Sequence, residues 1–286
     1  MKRINQNLIF QLAAWLFLLS TATSCIDTID VDLDKGPERL VVDGWLFDNI
    51  TSGNLAPDTI KLRWTAEYFA NQPAPKAGGA FVTITDQTGL IDTLTEVSEG
   101  NYVIQKTVRK MGNSYKLNIR IRGEEYEAFT TMRPCPPIDS VKATFRDERQ
   151  GPSDTGYYLY YYGPENPGQG DYYRFKTYKN QKLLNTPSDL AFTNDQFLKE
   201  TVYIDSLEIN FFPFNRNDTI RIETLSITED MFYFYTELQT QINNAGLFAQ
   251  PPSNVRTNVK NKNPKGPPAQ GYFGASGLSW SEVICR

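Results

Sequence analysis

Apolar side chains recur at every second position along much of this chain, a period that commits those segments to half-buried β-strands. Tyr115, Leu117, Ile119 and Ile121 alternate with Lys116, Asn118, Arg120 and Arg122, and Ile60, Leu62 and Trp64 alternate with Lys61 and Arg63. Successive strand side chains point to opposite faces, so each segment turns one face to a core and the other to water. Leu40–Val42, Trp45–Phe47 and Phe81–Thr85 add apolar strands, and the turns Asp86–Gly89 and Arg122–Glu124 separate neighbours. Short strands at this spacing predict a mainly β chain, with an immunoglobulin- or transthyretin-like sandwich over residues 39–133.

The segment Met132–Pro137 carries three prolines in four residues, Pro134, Pro136 and Pro137. Proline cannot donate to a strand ladder, so the segment reads as a stiff junction to a second unit, residues 138–286. That unit is β-rich again at Ser140–Phe145, Tyr157–Tyr162, Tyr172–Tyr178, Asp218–Leu225 and Tyr272–Ile284. Gly163–Gly170 reads as a hairpin loop joining two tyrosine-rich strands. Between them and the last strand the period changes. Met231, Tyr235, Leu238, Ile242 and Ala245 recur at helical spacing, predicting one amphipathic helix over about 227–245, with Ser226 and Glu229 as a capping box and Gly246 as the stop.

The N-terminus is of another kind. Lys2 and Arg3 precede the apolar run Leu8–Leu19, and small residues lead to Cys25. A charged start, a short apolar core and a small-residue break describe a secretory signal over residues 1–24. The run is about a dozen residues, short of the roughly 20 needed to span a bilayer. The cysteine at the break turns the reading toward a lipoprotein, with Cys25 carrying diacylglycerol, although Ala22 stands where a lipobox usually has Leu. Two or more acyl chains suffice for stable anchoring. Residues 25–38 follow as an acidic tether with Asp27, Asp30, Asp32 and Asp34. The expected address is the outer membrane, on the cell-surface or the periplasmic leaflet.

Composition then removes whole classes of chemistry. The chain has no histidine, so Ser-His and Cys-His nucleophilic systems and histidine-ligated zinc are excluded. Hydrolysis by paired carboxylates and oxygen-ligand calcium sites survive that filter. Without residues 1–24 the chain holds 27 cationic and 33 acidic side chains, a net charge of −6. An acidic chain lacks the basic footprint that nucleic acid demands. Cys135 and Cys285 form an even pair once Cys25 is lipidated; a disulfide and two buried thiols are both open.

Several segments carry a resemblance. Gly79–Ile84, Gly100–Tyr102 and Gly112–Leu117 resemble the carboxypeptidase regulatory-like sandwich. Leu40–Trp45, Asp171–Phe175, Asp218–Ile220, the helix start at Ser226, Gln241–Asn243, Pro251–Val255 and Gly271–Ala275, in this order, resemble the Bacteroidota outer-membrane lipoproteins called domain of unknown function four-two-four-nine. The resemblance implies an accessory role beside a TonB-dependent transporter barrel; it supplies no catalytic or ligand residues and no cofactor.

Three candidate sites follow from the residues. Tyr158, Tyr160, Tyr162 and Tyr173 offer an aromatic binding face, or else cross-strand pairs that only stabilise a hairpin. Asp-Ser/Thr before an aliphatic residue marks Thr28, Thr59, Thr93, Ser140, Ser206 and Thr219 as O-glycosylation candidates, or else as ordinary strand starts. Asp147, Glu148 and Asp154 lack the spacing of a calcium loop, and no metal site is expected. The functional expectation is a non-catalytic binding or accessory subunit. A carboxylate-dependent carbohydrate-active enzyme and a structural adhesin are the readings from other classes.

Overall fold

The longest strand among the described residues, Gln270–Ile284, pairs with one strand near their start and another late in the chain. The computed structural model describes residues 36–49, 58–66, 72–147, 155–196, 203–210, 213–244 and 253–286. Cys25, Thr28, Glu148, Asp154 and Gly246 lie outside them. The described strands, in chain order, are β1 (Leu40–Asn49), β2 (Thr59–Trp64), β3 (Phe81–Asp86), β4 (Ile91–Thr93), β5 (Thr95–Ser98), β6 (Asn101–Val103), β7 (Ser114–Ile121), β8 (Glu124–Thr131) and β9 (Ser140–Arg146). They continue as β10 (Gly156–Pro164), β11 (Tyr172–Lys179), β12 (Lys182–Leu183), β13 (Ala191–Asn194), β14 (Tyr203–Glu208), β15 (Thr219–Ile227), β16 (Lys260–Asn261) and β17 (Gln270–Ile284). One helix, α1 (Glu229–Ile242), lies between β15 and β16.

The described strands form three sheets. The largest has the order β12-β11-β15-β17-β1-β2-β6-β5, with β13 also on β11. A five-stranded sheet, β16-β8-β7-β3-β4, faces its β1–β2–β6 wing across a core of Val42, Leu46, Ile60, Leu62, Phe273, Ile84, Leu117, Ile119 and Tyr126. A sandwich forms as expected, but it is completed by β16 and β17 from beyond the expected bounds of residues 39–133. A three-stranded sheet, β14-β10-β9, covers the other wing through Val141, Leu159, Tyr161, Ile220 and Ile222.

β17 joins the two wings. Its Gln270–Leu278 half runs parallel to β1 and its Leu278–Ile284 half runs antiparallel to β15. A strand covered on both faces loses the alternating pattern, and Tyr272–Ser279 are all buried. Its small residues sit where neighbours come closest. A Cβ on Gly274 would lie 2.9 Å from Met231 Cε, and one on Gly277 would lie 2.9 Å from the Cys135 backbone nitrogen. Gly271, at φ +86°, adopts the left-handed region, and a Cβ there would overlap the Val42 carbonyl oxygen.

Contacts run across the expected division at 134–137. Pro37–Arg286 form one compact unit. The prolines do stay out of the ladders, but the flanking residues bind β17: the Gly277 N–H donates to Arg133 O at 2.8 Å, and the Ile138 N–H donates to Ser279 Oγ at 2.7 Å.

The helix forms where the period shifted, with a different start. Ser226 is the penultimate buried residue of β15, and the cap is Thr228, whose Oγ1 accepts from the Met231 N–H at 3.2 Å. Glu229 and Asp230 in the first turn favour the positive end of the helix dipole. Met231 and Tyr235 are buried against Trp45, Leu225 and Tyr272, whereas Ile242 is 40 % exposed, so the core-facing stripe is shorter than the sequence implied. None of the described helices is long and apolar enough to cross a membrane.

The tyrosine hairpin does not form. β10 pairs with β9 and β14, while β11 pairs with β12, β13 and β15. The disulfide is also absent: Cys135 and Cys285 are both free and buried. Cys135 lies against Gly277, and Cys285 follows the end of β17. At about 3.3 Å per residue the intervening strand spans roughly 25 Å, far beyond the reach of an S–S bond. Burial pushes the Cys135 thiol up to about 12. Alkylation of the denatured, unreduced chain with iodoacetamide should label both Cys135 and Cys285 in peptide mass spectra; a cross-linked Cys135–Cys285 peptide pair would contradict the fold.

Candidate functional site

Strand alternation sorts the large sheet into two faces. Val42, Leu46, Ile60, Ile222 and Phe273 enter the cores. Asp43, Trp45, Phe47, Lys61, Arg174, Lys176, Tyr178, Arg221 and Glu223 share the opposite face. Helix α1 covers part of that face; beside it a groove of about 570 Å³ remains, with Asp58, Thr59, Arg109, Leu183 and Leu278 completing its lining. This volume lies within the range of small-molecule sites.

The lining carries five cations and three acids, a local balance of +2 on a chain whose net charge is −4. Two of the cations are matched. Arg109 Nε lies 2.8 Å from Asp58, and Arg221 lies 3.1 Å from Glu223. Asp58 also accepts from the Phe47 N–H at 2.8 Å; burial nevertheless holds its carboxyl above the usual range. Glu223 is further engaged by the Tyr178 hydroxyl at 3.1 Å, and Arg221 stacks on the Tyr178 ring at 4.2 Å.

Arg174 and Lys176 are different. Arg174 lies over the Tyr235 ring and donates to its hydroxyl, while its Nε is buried without a hydrogen-bond partner. Lys176 stands opposite Glu223 in the β11–β15 register, but Arg221 and Tyr178 occupy that carboxylate. The Lys176 ammonium instead rests 4.8 Å from the Phe47 ring centroid and 5.6 Å from that of Trp45, whose rings stack at 5.5 Å. Neither Arg174 nor Lys176 forms an ion pair among the described residues. Burial, and then the Arg174 guanidinium beside it, push Lys176 down to about 8. Both residues are half-buried, and a partly desolvated cation without an ion pair of its own is costly and marks a functional-site candidate.

The residues singled out in the sequence lie elsewhere. Tyr158 and Tyr173 are buried, at 4 % and 5 % exposure. Arg146 covers the Tyr158 ring at 3.4 Å, Lys142 covers Tyr162 at 4.3 Å, and the Tyr160 hydroxyl meets Glu208 at 3.3 Å. The expected aromatic face is therefore covered by its own cations. Tyr173 donates to buried Glu165 at 2.6 Å.

Glu165, Asp171 and Asp195 bring carboxylate oxygens within 4.8 Å of one another, a grouping able to meet a cation. Each already has donors of its own. Asp195 accepts from the Gly170 and Asp171 N–H groups, Asp171 meets Arg133 at 3.5 Å, and Glu165 takes the tyrosine. These bonds hold the loop before β11. Asp147 is exposed and accepts from the Thr155 hydroxyl.

The Asp-Ser/Thr positions are scattered over β2, β4, β9, β14 and β15. Thr93 and Ser206 are exposed; Thr59, Ser140 and Thr219 are half-buried. In three of them the aspartate is a buried anchor. Asp92 Oδ2 accepts from the Gln105, Lys106 and Thr107 N–H groups and the Thr107 hydroxyl. Burial alone would raise its carboxyl, and these bonds hold it below the usual range. Asp218 is gripped by Lys179 at 2.8 Å and by the Asn215 N–H at 2.9 Å, and Asp58 by Arg109.

A family model described as Domain of unknown function (DUF4249) matches residues 26–279. The chain belongs to that family. The DUF4249 match spans β1 and most of β17, and with them every strand that lines the groove. No curated protein matches the chain.

The groove residues escaped the sequence reading, although one signal was present. Arg174, Lys176 and Tyr178 alternate on one face of an interior strand, where apolar residues are the norm.

The Lys176 charge has a linkage consequence. Its folded value near 8 lies below the ordinary 10.5, so the destabilising effect is full below pH 8 and fades as pH rises to 10.5. Replacing Lys176 by Met should raise unfolding free energy at pH 7 by about 1–3 kcal/mol. The difference from wild type in urea titrations should shrink between pH 8 and 10.5; a pH-independent difference would contradict the assignment.

Proposed function

We propose that this DUF4249 protein is a lipid-anchored outer-membrane binding protein, an accessory subunit of a TonB-dependent transporter complex, and that the groove is its binding site. The leader ending at Cys25 supports the address, and the sequence resemblance to outer-membrane lipoproteins supports the transporter setting. The observation that carries the binding role is the groove itself. It is built on neighbouring strands of one sheet, and its two buried carboxylates, Asp58 and Glu223, are each held by an arginine. Paired-acid hydrolysis needs one carboxyl protonated as the acid and another available as base or nucleophile. Glu223, held by both Arg221 and the Tyr178 hydroxyl, is engaged on its own strand face rather than free as a base or nucleophile. Unmatched cations beside aromatic rings suit recognition.

Purification of the native full-length protein from membranes in mild detergent should bring down a β-barrel transporter in stoichiometric amount, identified by mass spectrometry. Labelled palmitate should enter wild type and not Cys25→Ala, and the variant should leave the outer-membrane fraction. Recovery without a barrel would contradict the accessory role; a Cys25→Ala form that still fractionates with the outer membrane would contradict the anchor.

A further inference from the structure

We propose that the groove binds the acidic group of a small organic anion, a ligand of about acidic-monosaccharide size, at Arg174 and Lys176, with its uncharged part along the partly apolar wall of the groove. This rests on the reading of the groove as a binding site and names the chemistry of what fills it.

Arg174 and Lys176 are two residues apart on β11, so their side chains leave the same face about 7 Å apart. That spacing lets an ammonium and a guanidinium converge on one oxyanion. Arginine presents its N–H donors as a fork matched to carboxylate, sulfate and phosphate, and Arg174, a lining residue of the groove, has no ion pair among the described residues. The neighbouring acids are spoken for: Asp58 by Arg109 and Phe47, Glu223 by Arg221 and Tyr178. Asp43 remains on the exposed rim, across from Lys61 in the β1–β2 register. An arriving anion therefore meets two unmatched cations without displacing an existing ion pair.

Size separates a ligand from a stray ion. A water takes about 30 Å³ of liquid, and the groove offers about 570 Å³, so a bare sulfate would leave most of it filled with solvent. The rest of the wall includes Trp45, Phe47, Tyr178, Leu183 and Leu278, surfaces that exclude water from a ring or a short carbon skeleton. The alternative is that Lys176 merely caps the Trp45–Phe47 stack. That role accounts for Lys176, and does not account for a second cation without an ion pair, Arg174, on the same face of the same strand.

Calorimetry on the full-length protein in detergent, with glucuronate, glucose, sulfate and phosphate as probes, tests this. Glucuronate should bind, glucose should not, and sulfate should compete. Arg174→Gln and Lys176→Gln should each weaken glucuronate at least tenfold with the thermal midpoint kept within a few degrees. In wild type, independently of any variant's folding, saturating glucuronate should protect Lys176 from acetic anhydride, read by peptide mass spectrometry. Equal binding of glucose and glucuronate would overturn the anion assignment while leaving the groove a binding site. Glucuronate binding that neither variant weakens, with Lys176 unprotected, would place the anion elsewhere. Absence of binding by all three anions would overturn the proposal whether or not a barrel co-purifies.

Discussion

The parallel pairing of β1 with β17 holds this protein together. It ties Val41–Asn49 near the start of the described chain to Gln270–Leu278 near its end. Because β17 continues into an antiparallel ladder with β15, one strand closes both wings of the large sheet. The first core cannot be completed without it: Val259, Ala269, Phe273 and Ala275 pack there beside Leu40, Leu62 and Tyr102. Parallel pairing over such a separation carries a loop-closure cost that only the buried cores repay.

The groove follows from the same strand. With β17 in the middle, β1 and β11 lie within one sheet, and Trp45 and Phe47 come under the Lys176 side chain. The opposite face is filled by the two smaller sheets, and α1 occupies only part of the near one. What remains is a rigid, partly aromatic floor with charge left over. Natural sequences leave such charges uncompensated where function offsets the loss of stability.

Strand period and the change at Met231 were enough to read the class of the fold, the sandwich and the helix, because both depend on neighbours in sequence. The features that went unread depend on neighbours in space. Pro134–Pro137 have the composition of a linker, and only the bonds from Arg133 and Ile138 to β17 reveal them as core-adjacent. Gly271, Gly274, Ser276 and Gly277 dilute the alternation of β17, since close approach by Val42, Met231 and Cys135 selects size rather than polarity. The tyrosines of β10 gave an aromatic signal, but Arg146 and Lys142 cover them from the same sheet. Lys176 is an ordinary lysine in the sequence; its environment is assembled from β1, β11 and β15.

The most direct measurement of the central claim uses a fragment of residues 37–136, which contains β1 to β8 and lacks β16 and β17. Without β17, β1 presents a bare parallel edge and the first core loses its C-terminal residues. The fragment should show collapsed amide dispersion by NMR and no cooperative urea transition, while the full chain unfolds in one. A dispersed spectrum with a cooperative transition from the fragment alone would show that the sandwich stands without β17, and would contradict this account.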